Sequence, residues 1–197
     1  ERRFAFGKPE KDFFRLLLRR VEAFSGVQVV TWTILDNHFH VLLYVSPRPA
    51  EDYSETQLLH RIRRLYSHKE FEALEEFCHR LRRSAGSKEH GDKLVRDYLQ
   101  RFDDRMHHLS EFMKTLKQRF TQWFNRKHDR TGTLWEARFK SVLIEGNLGT
   151  SMKVAAYIDL NALRAGLVRD PALYPWCGYA EATAGSRAAR QGIGFLM

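Results

Sequence analysis

Apolar positions recur at helical spacing over residues 10–24, where Phe13, Phe14, Leu17, Leu18 and Val21 share one side. The pattern predicts an amphipathic helix closed by Ser25-Gly26. The period then changes. Residues 27–35 and 38–45 are rich in β-branched and aromatic side chains and read as two strands. Asp36-Asn37 between them is a turn dipeptide, so the unit is a hairpin. Pro47 and Pro49 break the chain after it. Arg, Lys, Glu and Leu dominate next, and helices are predicted at about 55–66, 69–83 and 89–106, with a loop at Ser84-Ala85-Gly86-Ser87. Farther on, Leu109, Phe112, Met113, Leu116, Phe120, Trp123 and Phe124 fall within one helical arc, with Lys114, Lys117 and Gln118 outside it. That stripe suits a core rather than a base-stacking platform, with a basic flank able to touch phosphates. A glycine turn at Thr131-Gly132-Thr133 leads to a predicted strand over 138–144. A helix follows from about Thr150 to Ala165, stopped by Gly166. Pro171 to Trp176 reads as an extended segment packed on the body, and 181–197, rich in Ala, Gly and Arg, as a flexible tail.

These elements describe an α+β chain: a single domain over 1–180 with a helical insertion at about 50–106 whose mixed charges suit solvated packing. A hydrophobic content of 43% places it among globular proteins rather than disordered ones. The net charge of +9 points toward a polyanion, most often nucleic acid, although a generic basic surface has the same sum. Cys78 and Cys177 show no CxxC or CxxH spacing, which argues against a zinc knuckle and for a reducing compartment. No apolar run approaches the roughly 18 residues of a membrane span, and no signal peptide is expected. The expected location is the cytoplasm. The first residue is Glu1 rather than Met, so the true start is expected to lie upstream.

Chemistry enters with Asp36-Asn37-His38-Phe39-His40-Val41-Leu42-Leu43. On a strand His38 and His40 project from one face and form half of a metal site, while Phe39, Val41, Leu43 and Val45 make an apolar opposite face. Two strand histidines satisfied by ordinary hydrogen bonds fit the same pattern. A second polar pattern lies on the helix at 150–165. Lys153, Tyr157, Asn161 and Arg164 form one narrow stripe, with Ala155, Ile158, Ala162 and Ala165 on the other side. Neighbouring cations favour a phenolate and also hold phosphate oxygens. Asn161 offers a carbonyl oxygen, a ligand for a hard cation. A half-buried tyrosine with a capping asparagine is the plainer account of that helix.

Together the segments carry a resemblance. Residues 36–43 resemble the His-hydrophobic-His motif of the HUH nucleases. Tyr157-Ile158-Asp159-Leu160-Asn161-Ala162-Leu163-Arg164-Ala165-Gly166-Leu167-Val168 is similar to the tyrosine helix of the REP-associated tyrosine transposases, single-tyrosine members of the HUH superfamily with an IS200-like transposase domain. Thr131-Gly132-Thr133-Leu134-Trp135-Glu136-Ala137-Arg138-Phe139-Lys140-Ser141 matches that family as well. The resemblance covers roughly 10–45 and 107–180 and leaves out the insertion.

It implies a ferredoxin-like antiparallel sheet with helices packed on it. The family begins with a strand ahead of the first helix, and Glu1 to Phe6 are too close to that helix to complete it, so the expectation is either that the chain is a fragment or that the sheet has lost a strand and has an open edge that invites pairing. By resemblance His38, His40 and Asn161 hold Mg²⁺ or Mn²⁺, and Tyr157 is the nucleophile. The implied activity is cleavage and rejoining of single-stranded or hairpin DNA through a 5′-phosphotyrosine, in DNA transposition. Lys153, Arg164, Arg138, Lys140, Lys114 and Lys117 are the candidate DNA contacts. The protein is expected to be a monomer or homodimer, nucleoid-associated in a prokaryotic cytoplasm, with no membrane partner. Two alternatives stand beside this one: a non-catalytic DNA-binding domain derived from such a transposase, and a metal-dependent hydrolase that uses water.

Overall fold

A computed structural model of the chain describes residues 6–136 and 139–196. Helix α1 (Lys8–Ser25) opens with a proline in its first turn and ends at Gly26, whose φ is +69°. Gly26 is required twice over. Its backbone is left-handed, and a Cβ there would lie 2.6 Å from the His107 ring. The helix buries Phe14, Leu17, Leu18, Val21 and Phe24. Phe13 leaves that face and stacks on Trp123, ring centroids 4.0 Å apart.

Strands β1 (Val27–Ile34) and β2 (Phe39–Val45) form an antiparallel hairpin with Val27 opposite Val45, Thr33 opposite His40 and Ile34 opposite Phe39. The register slips between Val29 and Thr31, so Val30 is an extra residue in β1. This bulge sets the faces. With it, Val27, Val29, Trp32 and Ile34 all enter one core with Phe39, Val41 and Leu43. Phe14 contacts both Trp32 and Phe39 there, at 6.4 and 4.8 Å between centroids. Val45, expected on this apolar face, is 38% exposed at the strand's end. The opposite face carries Thr31 and Thr33.

Helices α2 (Glu55–Leu65), α3 (His68–Ser84) and α4 (Lys88–Asp103) fill the insertion. Each starts at a serine, Ser54, Ser67 or Ser87, whose hydroxyl accepts from the third backbone N–H of the helix. The insertion is more than a solvated appendage. Leu58, Ile62, Phe71, Leu74, Val95 and Leu99 are buried in the same core as α1. Its ends are tied to the hairpin. Arg48 pairs with the buried Asp103, and His107 is hydrogen-bonded through Nε2 to Tyr53 Oη at 2.7 Å and through Nδ1 to the Ser46 carbonyl at 3.1 Å.

Helix α5 (Leu109–Lys127) buries Phe112, Met113, Leu116, Phe120 and Phe124 against α1. Trp135 folds back on it, its Nε1 donating to Thr121 Oγ1 at 2.9 Å and to the Lys117 carbonyl at 3.2 Å. The strand predicted over 138–144 is not found in its described part. Arg138 lies outside the described residues, and 139–144 has no strand pairing. Val142 and Leu143 are 86% and 98% exposed. Their β propensity is realised only against a partner edge, and the sheet of described residues has two strands.

The helix expected over 150–165 breaks at Leu160 into α6 (Leu148–Asp159) and α7 (Asn161–Arg164). Ala155, Ile158 and Ala162 are buried as the stripe requires, but Ala165 is exposed. A 3₁₀ turn at Pro171–Leu173 leads to α8 (Gly178–Thr183) and α9 (Arg187–Gly194). The segment expected as a flexible tail is therefore largely helical and packed. Ala189 is buried, and a Cβ on Gly192 would meet the Val29 carbonyl oxygen at 2.2 Å. Small residues there serve close approach of a helix to β1. Glu181 of α8 locks this layer in place, accepting from Arg19 Nη2 at 2.7 Å and Trp32 Nε1 at 2.9 Å. The result is an α+β fold with a two-stranded antiparallel sheet between helical layers. Among the described residues no helix is long and apolar enough to cross a membrane.

Candidate functional site

The hairpin turn is held from several sides. Leu35 N–H donates to the His38 carbonyl at 2.8 Å, and the Asp36 carbonyl accepts from Phe6 N–H. His38 sits one residue ahead of β2, while His40 lies inside it. Their ring centroids are 5.1 Å apart and nearly perpendicular. His38 is exposed and its Nδ1 lies 2.7 Å from Asn37 Oδ1. An amide oxygen accepts, so Nδ1 is the donor of this bond, and in the neutral form of the ring Nε2 presents the lone pair. His40 is half-buried. Burial, then the charge of His38, pushes its imidazole below the ordinary value of 6.5, so it is neutral at pH 7.

Helix α6 covers the threonine face of the hairpin. Its Asp159 Oδ1 accepts from Thr31 Oγ1 at 2.7 Å and from Tyr179 N–H at 3.0 Å. Burial raises this carboxyl above its ordinary range although both hydrogen bonds oppose the shift. So pinned, the helix sets the Tyr157 ring 6.2 Å from His40 at an interplanar angle of 74°. Tyr157 is 48% exposed. The Arg164 guanidinium lies 5.0 Å from the centre of the Tyr157 ring. Asn161 opens α7, half-buried, with its Nδ2 buried and without a hydrogen-bond partner among the described residues.

The histidine pair, Tyr157 and Arg164 thus come together from opposite ends of the chain. Lys153 lies exposed one helical turn before Tyr157, and Lys140 is exposed on the unpaired segment. Lys114 and Lys117 are elsewhere, on α5, in the layer across the hairpin from α6. Lys114 pairs with Glu111 at 3.1 Å. Lys117 sits 5.2 Å from the Trp135 ring centre, and burial lowers its ammonium below the ordinary range. Among the described residues no group of three His, Cys, Asp or Glu side chains gathers as metal ligands would. A cation on the two imidazoles would need an amide or hydroxyl oxygen as its third protein donor.

Two residues around the site escape sequence reasoning. Asp159 reads as an ordinary charged helix position. Lys11 falls between Glu10 and Asp12 and reads as solvent-facing, yet it is buried, with its Nζ 2.7 Å from Asp36 Oδ1 and 3.1 Å from Tyr174 Oη. One signal was present: Lys11 shares the helical arc of Phe14, Leu18 and Val21. No family model matches the chain, and no curated protein and no solved structure matches it.

Proposed function

We propose that the chain is a tyrosine-dependent DNA strand-cleaving and rejoining enzyme of the HUH type, acting on single-stranded or hairpin DNA. The observation that carries this reading is the 6.2 Å approach of the Tyr157 and His40 rings, with His38 beside His40 and Arg164 over the tyrosine. A water-using hydrolase has no use for an exposed tyrosine between a cation and two imidazoles. The +9 net charge supports an anionic polymer as substrate. On this reading the hairpin is part of a ferredoxin-like sheet.

The donor chemistry fits a divalent cation: a neutral His40, a His38 whose Nδ1 is engaged by Asn37, and the amide oxygen of Asn161, which opens α7 directly after the helix that carries Tyr157. Such an ion supplies Lewis-acid polarisation of a phosphoryl oxygen. The protein's own groups do the rest. Arg164, its guanidinium 5.0 Å from the centre of the Tyr157 ring, stands where a phosphate oxygen would be attracted. The half-exposed Tyr157 hydroxyl loses its proton to solvent, and its oxygen attacks phosphorus. One Tyr157 Oη–P bond forms as the bond from phosphorus to the 3′ oxygen breaks. That oxygen takes up a proton, leaving a 3′-hydroxyl and a 5′-phosphotyrosine. The new ester retains the energy of the old one, so a 3′-hydroxyl can reverse the step.

The test is incubation with end-labelled single-stranded DNA and Mg²⁺ or Mn²⁺, followed by denaturing electrophoresis. A labelled protein adduct lost on substituting Tyr157 is the expected result. Binding without an adduct would favour the non-catalytic DNA-binding domain. Cleavage without an adduct would favour the hydrolase.

A further inference from the structure

We propose that Lys11 is a positioning residue for the His38–His40 pair, a buried ammonium that clamps the Asp36-Asn37 turn. An ammonium is costly to remove from water unless it is well paired. Lys11 is 7% exposed in its side chain, yet its carboxylate partner Asp36, at 2.7 Å, is 64% exposed. The ion pair therefore reaches from the core to the tip of the hairpin. The remaining contacts of the ammonium are rigid: Tyr174 Oη at 3.1 Å and the Trp176 ring at 4.8 Å. Both residues are fixed to β1, since Tyr174 Oη donates to the Ile34 carbonyl at 2.7 Å and Ile34 N–H donates to the Trp176 carbonyl at 3.0 Å.

The turn needs such a clamp because of where the histidines fall. His40 is inside β2, and the strand ladder fixes it. His38 precedes the strand, so its direction follows the conformation of Asp36-Asn37. Asn37 in turn holds the His38 ring. Backbone bonds from Leu35 N–H to the His38 carbonyl and from Phe6 N–H to the Asp36 carbonyl close the turn, and Lys11 acting through Asp36 is the side-chain tie that sets the 5.1 Å separation of the two imidazoles within it. That the separation serves metal binding rests on the function proposed above.

The experiment uses the full chain and two readouts. Without metal, ¹⁵N relaxation reports the mobility of the Asn37 and His38 amides, and a ring-to-ring nuclear Overhauser effect reports the His38–His40 distance. With Mn²⁺ alone, paramagnetic broadening reports binding. Asp36→Ala, an exposed change, should raise mobility at Asn37 and His38, leave β1 amides unchanged and erase the ring contact. It should weaken Mn²⁺ binding roughly tenfold, as loss of outer support for a ligand does. Lys11→Met should do the same, and if it fails to fold, Asp36→Ala carries the test. Asp36→Asn keeps an oxygen for Lys11 and should restore the ring contact. Glu76→Ala removes an exposed ion pair with Arg80 on α3 and should leave the turn unaltered. Wild-type mobility and ring contact in Asp36→Ala would overturn the clamp, whatever its melting temperature. A wild-type protein that ignores Mn²⁺ would count against the metal part of the proposed function, while the relaxation data would still decide the clamp.

Discussion

Tyr157→Phe separates chemistry from everything else the tyrosine does. Tyr157 is 48% exposed, and no hydrogen bond from its hydroxyl is formed among the described residues. Deleting the oxygen therefore strands no buried partner. The ring keeps its place beside His40 and beneath Arg164. A surface change of this kind lies within about 0.5 kcal/mol, or roughly 1–2 °C of melting temperature for a chain of this length. If the hydroxyl makes one hydrogen bond to DNA, its loss costs about 1 kcal/mol, some fivefold in affinity. Covalent attachment, by contrast, should vanish, because phenylalanine has no nucleophile. Thermal melting, equilibrium binding to labelled single-stranded DNA and the denaturing adduct gel measure the three quantities on one preparation. Wild-type adduct formation by the variant would refute the nucleophile assignment. A melting temperature lowered by 8 °C would refute the picture of an unanchored hydroxyl.

Four further outcomes follow from the same geometry. Asp159→Asn keeps an oxygen acceptor for Thr31 and Tyr179 but removes a carboxyl whose value is raised by burial above 3.8. The raised group favours the fold when protonated, and that advantage is lost as pH rises through its folded value. The variant should therefore gain on the wild type as pH rises above about 4 and match it below. Melting across pH checks the sign, and a gap that widens on acidification would contradict it. Gly192→Ala forces a Cβ to 2.2 Å from the Val29 carbonyl oxygen and 2.7 Å from that of Val30, so a loss of about 1–3 kcal/mol is expected in denaturant unfolding. Arg164→Ala should slow single-turnover cleavage at saturating DNA. Arg63 and Arg64 to Ala should at most weaken binding, lowering its log–log salt slope by about 0.7 per lost phosphate contact. Arg61 is left intact in that variant because it holds the Tyr53 ring and the Phe24 carbonyl.

Periodicity located most elements because most of them have one wet face and one dry face. Helix α1, the hairpin, α2 and α3 lie within a residue or two of their predicted bounds, α4 ends three residues short of its predicted end, and α5 begins at Leu109, where the apolar stripe begins, and runs on to Lys127. Serine caps at Ser54, Ser67 and Ser87 sharpen the starts of three of them. The last helices were read as a tail because Ala and Gly signal little burial on their own. Their burial depends on a partner surface, here the backbone of β1. The unpaired stretch 139–144 failed for the mirror-image reason: its β propensity had no partner edge among the described residues. The approach of Tyr157 to His40 was expected from family resemblance, not from periodicity, which cannot place one element on another.

The bulge at Val30 shows why the seat of the site was hidden. Strict alternation puts Val27, Val29, Thr31 and Thr33 on one face of β1. The extra residue transfers the threonines to the other face and brings Trp32 and Ile34 into the core instead. Nothing in Val27-Gln28-Val29-Val30-Thr31-Trp32-Thr33-Ile34 marks which residue is surplus. Yet the threonine face is where α6 docks, through the hydrogen bond from Thr31 to Asp159. Thr33, opposite His40 on that same face, keeps a buried hydroxyl without a partner among the described residues. One unpatterned backbone insertion therefore lets a single hairpin present an apolar face to α1 and a polar one to α6. His40 faces that side by the alternation of β2 itself, and the bulge is what puts Thr33 and Thr31 there with it, where Tyr157 meets His40.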